Sequence, residues 1–208
     1  MRAPGIVSVA QCDAILGRID LNLQAHLAQI SGARAEGADL VVFPELSLTG
    51  YSLRDLTAEV AMRPDDLRLA AIRTASASID IVAGWIEESP EHGLYNVAGY
   101  FSQGHLIHQH RKVYPVNYGM FEERRYWAAG DQVSAFDTPW GRAGLLICED
   151  LWHPSTSYLL FADRADVIIT LSASPARGIR PAPAGGPSQP GSSRTWEDLL
   201  RHQSSAFT

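Results

Sequence analysis

The chain has 208 residues, of which 46% are hydrophobic, and a formal net charge of −6. This length and composition suffice for a substantial core, and the simplest prediction is one domain over residues 1–208. A basic face is the usual footprint of nucleic-acid binding, and a mildly acidic chain with scattered arginines predicts none. No apolar run approaches the length of a membrane span, and the N-terminus lacks a signal-peptide pattern. We therefore expect a cytoplasmic protein without membrane contact.

Apolar side chains recur along the chain at spacings that alternate between strand and helix. Short continuous apolar runs are typical of strands buried on both faces, and apolar positions three or four residues apart predict helices. In chain order we first predict a strand over residues 5–11, a helix with apolar positions from Leu16 to Ile30 that ends at Gly37, and a strand over 40–45. A helix over 65–77, a strand over 79–85 and a hairpin over 95–110 that turns at 102–104 follow. The last predicted elements of this part are a second hairpin over 132–136 and 142–147, a helix over 155–165 and a strand over 167–170.

The character of the chain changes after Pro175. Residues 179–193 are rich in proline, glycine and serine and hold too few apolar groups to pack, which predicts a flexible loop. A last helix is predicted over residues 195–205. The body of the domain is therefore expected over about residues 5–175.

One lysine, Lys112, stands among the 17 cationic residues, and the others are all arginine. A compact ammonium with an adjustable pKa is something that arginine cannot supply, although compositional bias with one accidental survivor is the alternative. Two apolar runs favour a functional lysine, because residues 40–45 deliver Glu45 and residues 144–148 deliver Cys148 at their ends. A carboxylate, an ammonium and a thiol gathered at strand ends form a nucleophile with its base and its electrostatic partner.

Three separated segments carry a resemblance to a known family. They are Phe43-Pro44-Glu45-Leu46 with Thr49-Gly50-Tyr51, then Arg111-Lys112 with Tyr118 to Tyr126, then Ile147-Cys148-Glu149-Asp150-Leu151-Trp152. In this order they resemble the nitrilase superfamily of carbon–nitrogen hydrolases, and most of all the glutaminase domains of glutamine-dependent NAD synthetases. The resemblance runs from about Gly5 to Pro175. It implies an α/β fold, a four-layer αββα sandwich, whose C-terminal part is apparently missing.

The resemblance also implies a role for each of the candidate groups. Cys148 would attack an amide carbonyl, Glu45 would act as the general base, and Lys112 would stabilise the oxyanion together with the backbone N–H of Glu149. The implied activity is hydrolysis of a non-peptide carbon–nitrogen bond, in a linear amide, through a cysteine thioester. Residue chemistry agrees, because free cysteine titrates near about 8.5 and needs a base at neutral pH.

Further residues are candidates for substrate binding or support. In the resembled family a second glutamate before a basic-basic-aromatic sequence holds the lysine, and Glu123 before Arg124-Arg125-Tyr126 fits that position. A charge run on a solvated face is the alternative. Tyr51 and Ser174 match glutaminase positions that contact the amino-acid part of the substrate, and each would equally suit an ordinary loop.

No cofactor and no metal are predicted. His108 and His110 alternate on one strand face, but a metal site needs a third protein ligand, and the sequence has no cluster of cysteine and histidine to supply it. Neither a glycine-rich phosphate loop nor a dinucleotide fingerprint occurs. Cys12 and Cys148 are expected to be reduced thiols, with Cys12 a small buried apolar side chain.

Three classes of function stay open. The first is an amidase that acts on a linear amide or, with the same three groups, a nitrilase that acts on a C≡N bond. The second is a glutaminase subunit that supplies ammonia to a separate ATP-dependent synthetase such as NAD synthetase. The third is an inactive truncated remnant. The expected partners are a small-molecule amide or nitrile and, by resemblance, further copies of the chain in a homodimer or higher homo-oligomer.

Overall fold

Two β-sheets form the centre of the computed structural model, which describes residues 5–178 and 190–207. The strands are β1 Val7–Val9, β2 Leu40–Val42, β3 Asp80–Glu88, β4 Leu94–Ser102, β5 His105–Arg111, β6 Ala135–Thr138, β7 Gly141–Ile147 and β8 Val167–Leu171. Sheet one has the strand order β1-β2-β3-β4-β5, with parallel pairing from β1 to β3 and antiparallel pairing from β3 to β5. Sheet two has the order β6-β7-β8, in which β6 and β7 are antiparallel and β7 and β8 are parallel.

Helices lie between the strands and after the last of them. The α-helices are α1 Ile19–Ala35, α2 Thr57–Val60, α3 Ala70–Ala75, α4 Glu123–Tyr126, α5 Pro154–Ala162 and α6 Gly191–Ala206, and 3-10 helices span Arg54–Leu56, Leu67–Leu69 and Cys148–Trp152.

The two sheets pack face to face, and helices cover their outer faces. Side chains of sheet one such as Leu40 and Val82 share a buried cluster with Leu145 and Ile147 of sheet two. Helices α1 and α3 pack on the other face of sheet one, and α5 and α6 pack on the other face of sheet two. Each fully buried aliphatic side chain in these layers contributes roughly 1.5–3 kcal/mol to folding. The expected four-layer αββα sandwich is confirmed.

The elements predicted from apolar spacing are present in the predicted order. The hairpin of β4 and β5 turns at Gln103 and Gly104, whose φ angles of 52° and 83° suit a two-residue turn that matches strand twist. The helix predicted over 65–77 is a 3-10 turn followed by the short α3. Helices α2 and α4 were not predicted, because four residues make little more than one turn and show no periodicity.

The prediction of a loop over residues 179–193 is wrong for its last three residues, which are helical. Residues 179–189 lie outside the described residues, but residues 191–193 form the first turn of α6. Pro190 precedes this helix with a φ of −57°. The Ser192 hydroxyl accepts a hydrogen bond from the Arg177 N–H at 3.0 Å, and the Ser192 N–H donates to the Arg177 carbonyl at 3.2 Å. Tertiary contacts therefore fix a turn that composition alone predicts to be mobile.

Exposed apolar side chains include residues of β1 and of α5. On β1, Val7 and Val9 pair with Leu40 and Val42, which face the space between the sheets. Val7 and Val9 are nevertheless exposed, by 45% and 79%. On α5, the helix side chains Tyr158, Leu159 and Phe161 are also exposed. The expected homo-oligomer stays a prediction.

Within the described ranges, no helix has both the length and the apolar character that crossing a bilayer requires.

Candidate active site

Three chain segments bring the candidate catalytic groups to one place. Glu45 lies in the turn after β2, Lys112 directly follows β5, and Cys148 directly follows β7. Two non-glycine residues in these segments have a left-handed backbone: φ is 52° at Leu46, which follows Glu45, and 48° at Cys148. Such a conformation costs of order 1–3 kcal/mol and concentrates at functional sites.

The Glu45 carboxylate is buried and anchored on both oxygens. Its Oε1 accepts hydrogen bonds from Lys112 Nζ and from Asn96 Nδ2, each at 2.8 Å. Its Oε2 accepts the backbone N–H of Ala173 at 2.9 Å. Ala173 follows β8, so this contact also joins sheet one to sheet two. A carboxylate held in this way has one fixed orientation.

The turn that carries Glu45 approaches β3 so closely that only glycine fits there. A Cβ on Gly84 would lie 2.5 Å from the Leu46 nitrogen and 3.1 Å from the Pro44 oxygen. We expect Gly84→Ala to lower the free energy of unfolding by about 1–3 kcal/mol, through overpacking, and to displace Glu45. Urea denaturation measures the loss. Gly32→Ala in α1 is the matched control, because its Cβ meets nothing within 4 Å, and alanine there should add up to about 1 kcal/mol. Equal stability of the two variants would contradict the close approach.

Lys112 is fully buried between two carboxylates. Its Nζ donates to Glu45 Oε1 and to Glu123 Oε1, both at 2.8 Å. Burial alone would lower the pKa of Lys112, but the charges of Glu45, Cys148 and Glu123 together raise that pKa above its usual value. The side chain is therefore a permanent cation at neutral pH. The lone lysine of the sequence occupies a pocket with no exposed surface, which supports the prediction that a compact ammonium is needed.

Glu123 contacts both Lys112 and Tyr51. Glu123 Oε1 also accepts the Tyr51 hydroxyl, and Glu123 Oε2 accepts the Val116 N–H at 2.8 Å. Burial raises the pKa of Glu123, and the charge of Lys112 opposes that rise. Burial and the Glu123 charge raise the pKa of Tyr51. The neighbouring Glu122 is exposed, so of the two adjacent glutamates it is Glu123 that holds the lysine. Tyr51 and Glu123 both line a second cavity, of about 120 Å³.

Cys148 begins the 3-10 helix that follows β7. Its Sγ lies 3.8 Å from the Ser174 hydroxyl. Burial, followed by the charge of Glu45, raises the pKa of the Cys148 thiol to about 12, although Lys112 acts in the opposite direction. The charges of Glu45 and Lys112 therefore both act on the sulfur. At neutral pH the sulfur is protonated.

A cavity of about 380 Å³ opens in front of Cys148. The Tyr118 hydroxyl at its wall donates to Glu149 Oε2 at 3.0 Å, and the Arg177 guanidinium lies 5.7 Å from the centre of the Phe121 ring. Among the described residues, the cavity therefore has largely apolar walls with one anionic group, Glu149, and one cationic group, Arg177. Further lining residues are Val116, Trp152, Ser174 and Pro175, and Thr195 and Trp196 of α6.

Sequence reasoning missed several polar residues at this site. Asn96 lies inside the apolar strand β4 and contacts Glu45, and Asp150 is completely buried beside Cys148. A polar residue within an apolar run is a usable signal for Asn96. The two charges directly after β7 are a comparable signal for Asp150. No role was predicted for Ser172, whose hydroxyl lies 2.7 Å from that of Ser174, or for Arg177.

His108 and His110, the two histidines considered as a metal pair, have other partners. His108 stacks on Phe136 with ring centres 4.3 Å apart, and His110 Nε2 lies 2.9 Å from Asp150 Oδ2. In the part of the chain that the structure describes, no group of three or more His, Cys, Asp or Glu side chains is arranged to hold a metal ion. Cys12 and Cys148 are both free thiols, and Cys12 packs against the core between sheet one and α1.

Comparison with known proteins decides the family. The sequence model for carbon-nitrogen hydrolases matches residues 6–204. The chain belongs to the carbon-nitrogen hydrolase family. The three motifs that resemble the nitrilase superfamily lie within this match, and the family assignment from sequence is confirmed.

Several relatives and structural neighbours of this carbon-nitrogen hydrolase are informative. The glutamine-dependent NAD(+) synthetase of Thermotoga maritima is 32% identical over 174 residues, which cover 81% of this chain and 30% of the relative. The structure of the glutamine-dependent NAD+ synthetase from Acinetobacter baumannii matches with a TM-score of 0.79 and 29% identity, over 94% of this chain and 35% of that one. An amidase from Nesterenkonia sp. shares the fold, with a TM-score of 0.71 and 20% identity, over 83% and 66% of the two chains. The chain thus spans about a third of the length of the synthetases it matches.

Proposed function

We propose that this carbon-nitrogen hydrolase cleaves a linear amide through a thioester on Cys148, with Glu45 as general base and Lys112 as oxyanion stabiliser. The observation that carries the proposal is the buried contact of Lys112 with Glu45 and Glu123. The charges of Lys112 and Glu45 act on the Cys148 thiol, which faces the cavity. A nucleophile, a base and a cation in one partly enclosed site are the parts that acyl transfer needs.

The base is needed because the Cys148 thiol holds its proton at neutral pH. Glu45 has one acceptor position left for that proton. Each carboxylate oxygen accepts about two hydrogen bonds. Within the part of the chain that the structure describes, Oε1 already accepts two, while Oε2 accepts one, from the Ala173 N–H. As the sulfur attacks the carbonyl carbon, the thiol proton moves to Oε2. The same proton then passes to the departing nitrogen, and ammonia leaves the thioester.

The negative charge on the tetrahedral oxygen has two donors. An ammonium has three N–H groups, and among the described residues two of those on Lys112 have carboxylate partners. In the proposed mechanism the third N–H donates to the oxyanion. The backbone N–H of Glu149 lies in the first turn of a 3-10 helix, where N–H groups have no partner within the helix. Each such donor contributes roughly 3–4 kcal/mol to the transition state.

Hydrolysis of the thioester repeats these steps with water. Glu45 takes a proton from a water molecule that enters the cavity after ammonia has left, and the hydroxide attacks the thioester carbonyl. Lys112 stabilises the second oxyanion as it did the first. Collapse of this intermediate releases the carboxylic acid and returns the proton to the Cys148 sulfur. The balanced reaction is amide plus water giving carboxylic acid plus ammonia.

A specific observation favours glutamine as the amide. The cavity places the Glu149 carboxylate and the Arg177 guanidinium along apolar walls, and a zwitterionic amino acid needs one group of each sign. The curated relatives named above are glutamine-dependent synthetases. The second candidate function is therefore a glutaminase whose ammonia is consumed by a synthetase, either another part of a longer protein or a separate chain.

A substrate panel tests the proposal. Ammonia release from L-glutamine, from butyramide and from butyronitrile is measured by a coupled assay, and intact mass is recorded for an acyl adduct on Cys148. We expect turnover of the amides with an adduct at this residue. An advantage of glutamine over butyramide of tenfold or more in kcat/KM supports the glutaminase. Preferred turnover of the nitrile would replace the amidase by a nitrilase, and absence of both turnover and adduct would refute the proposed function.

A further inference from the structure

The catalytic groups of this fold belong to two different sheets. Lys112 follows β5 of sheet one, and Cys148 follows β7 of sheet two. Strands within a sheet are held in register by backbone hydrogen bonds. The two sheets are held together mainly by apolar side chains, whose attraction has no direction. The position of the ammonium relative to the sulfur therefore depends on polar contacts that cross from one sheet to the other.

One buried carboxylate makes several such contacts. Asp150 is completely buried, two residues after Cys148. Its Oδ1 accepts the N–H groups of Val113 at 3.0 Å and Tyr114 at 2.9 Å, directly after Lys112. Its Oδ2 lies 2.9 Å from His110 Nε2 and accepts the N–H of Ile147, the residue before Cys148, at 3.0 Å. All of the acceptor positions of the carboxylate are thus used, and they span both sides of the site.

We propose that Asp150 is the positioning residue that holds Lys112 and Cys148 in working register. It touches no reacting atom in the mechanism proposed above, on which this inference rests. Its contacts with Val113 and Tyr114 fix the backbone that carries the ammonium, and its contact with Ile147 fixes the strained backbone at Cys148. Misplacement of a catalytic group by about 1 Å costs on the order of 100-fold in rate.

The variant Asp150→Asn tests the proposal with little change in shape. Its amide keeps one oxygen, but the NH₂ group would face the N–H of Ile147, where a second acceptor is required. The segment after Lys112 and the end of β7 would then lose their common partner. We expect kcat to fall about 100-fold and KM to change less than twofold.

A readout that does not depend on substrate is the alkylation of Cys148 by iodoacetamide as a function of pH, followed by peptide mass spectrometry. Lys112 favours the thiolate, so displacing it should move the Cys148 profile to higher pH, by about one unit, which is tenfold less thiolate at a given pH. Removal of the Asp150 charge without displacement would move the profile in the opposite direction. The profile of Cys12, whose pKa is raised by burial and by the charge of Asp13, serves as the internal control.

Two further variants separate positioning from general loss of stability. His110→Leu removes one contact of Asp150 and should move the Cys148 alkylation profile to higher pH by less than Asp150→Asn does. If Asp150→Asn does not fold, His110→Leu takes its place as the test. Tyr100→Phe removes a buried hydrogen bond to Asp80 within sheet one and should leave the Cys148 profile unchanged. An unchanged or lowered Cys148 profile in Asp150→Asn would overturn the proposal. An upward shift in a protein that turns over none of the panel would support positioning and refute the proposed hydrolysis.

Discussion

Replacing Cys148 with alanine is expected to lower kcat by about 10⁶-fold, the scale observed when a covalent nucleophile is removed from a hydrolase. The sulfur is the atom that forms the thioester in the proposed mechanism, and the described part of the cavity lining holds no second thiol. The side chain is small and only partly buried, so alanine should fold normally. Ammonia release from glutamine measures the rate, and circular dichroism checks the fold.

Cys148→Gly is a control that separates activity from stability. The φ of 48° at this residue costs any L side chain about 1–2 kcal/mol, and glycine adopts it freely. The glycine variant should therefore be as inactive as the alanine variant and more stable than it by about 1 kcal/mol in urea denaturation. Residual turnover above about 1% in either variant would show that another group is the nucleophile.

The strands that carry the site were predictable because their signals are local. Residues 40–42 and 144–147 are continuous apolar runs, and each ends shortly before a residue with a reactive side chain, Glu45 or Cys148. The arrangement of the layers does not follow from those runs. Its prediction came from the resemblance, since apolar spacing shows that a strand is buried but not which sheet covers it.

The partners of the buried polar groups were beyond the reach of sequence patterns. Glu45 pairs with Asn96 and with Ala173, which are separated from it by 51 and 128 residues. Such contacts depend on the order of strands in two sheets, and no spacing rule encodes them. The roles of Tyr51 and Ser174 remain predictions. The structure places Ser174 beside the Cys148 sulfur and Tyr51 behind Glu123.

Replacing Lys112 is expected to have the second largest effect. Lys112→Arg keeps the charge, but the planar guanidinium has no room in a site with no exposed surface between two carboxylates at 2.8 Å. We expect kcat to fall by about 10²–10³-fold, which is the loss measured for one oxyanion donor. Near-normal hydrolysis by this variant would refute the interpretation of the lone lysine.

Lys112→Met separates the structural role of the ammonium from its catalytic role. Methionine has a similar length and no charge, so Glu45 and Glu123 would remain buried without their cation. Removing one partner of a buried ion pair costs about 3–5 kcal/mol, and urea denaturation should show a loss of that size. Adding Glu123→Gln removes one of the two unpaired charges and should recover part of the loss. Turnover should not recover with it, because the oxyanion still lacks its donor. If the double variant regained both stability and turnover, Lys112 would serve only to neutralise the two carboxylates, and the oxyanion would have to be stabilised by the backbone N–H of Glu149 alone.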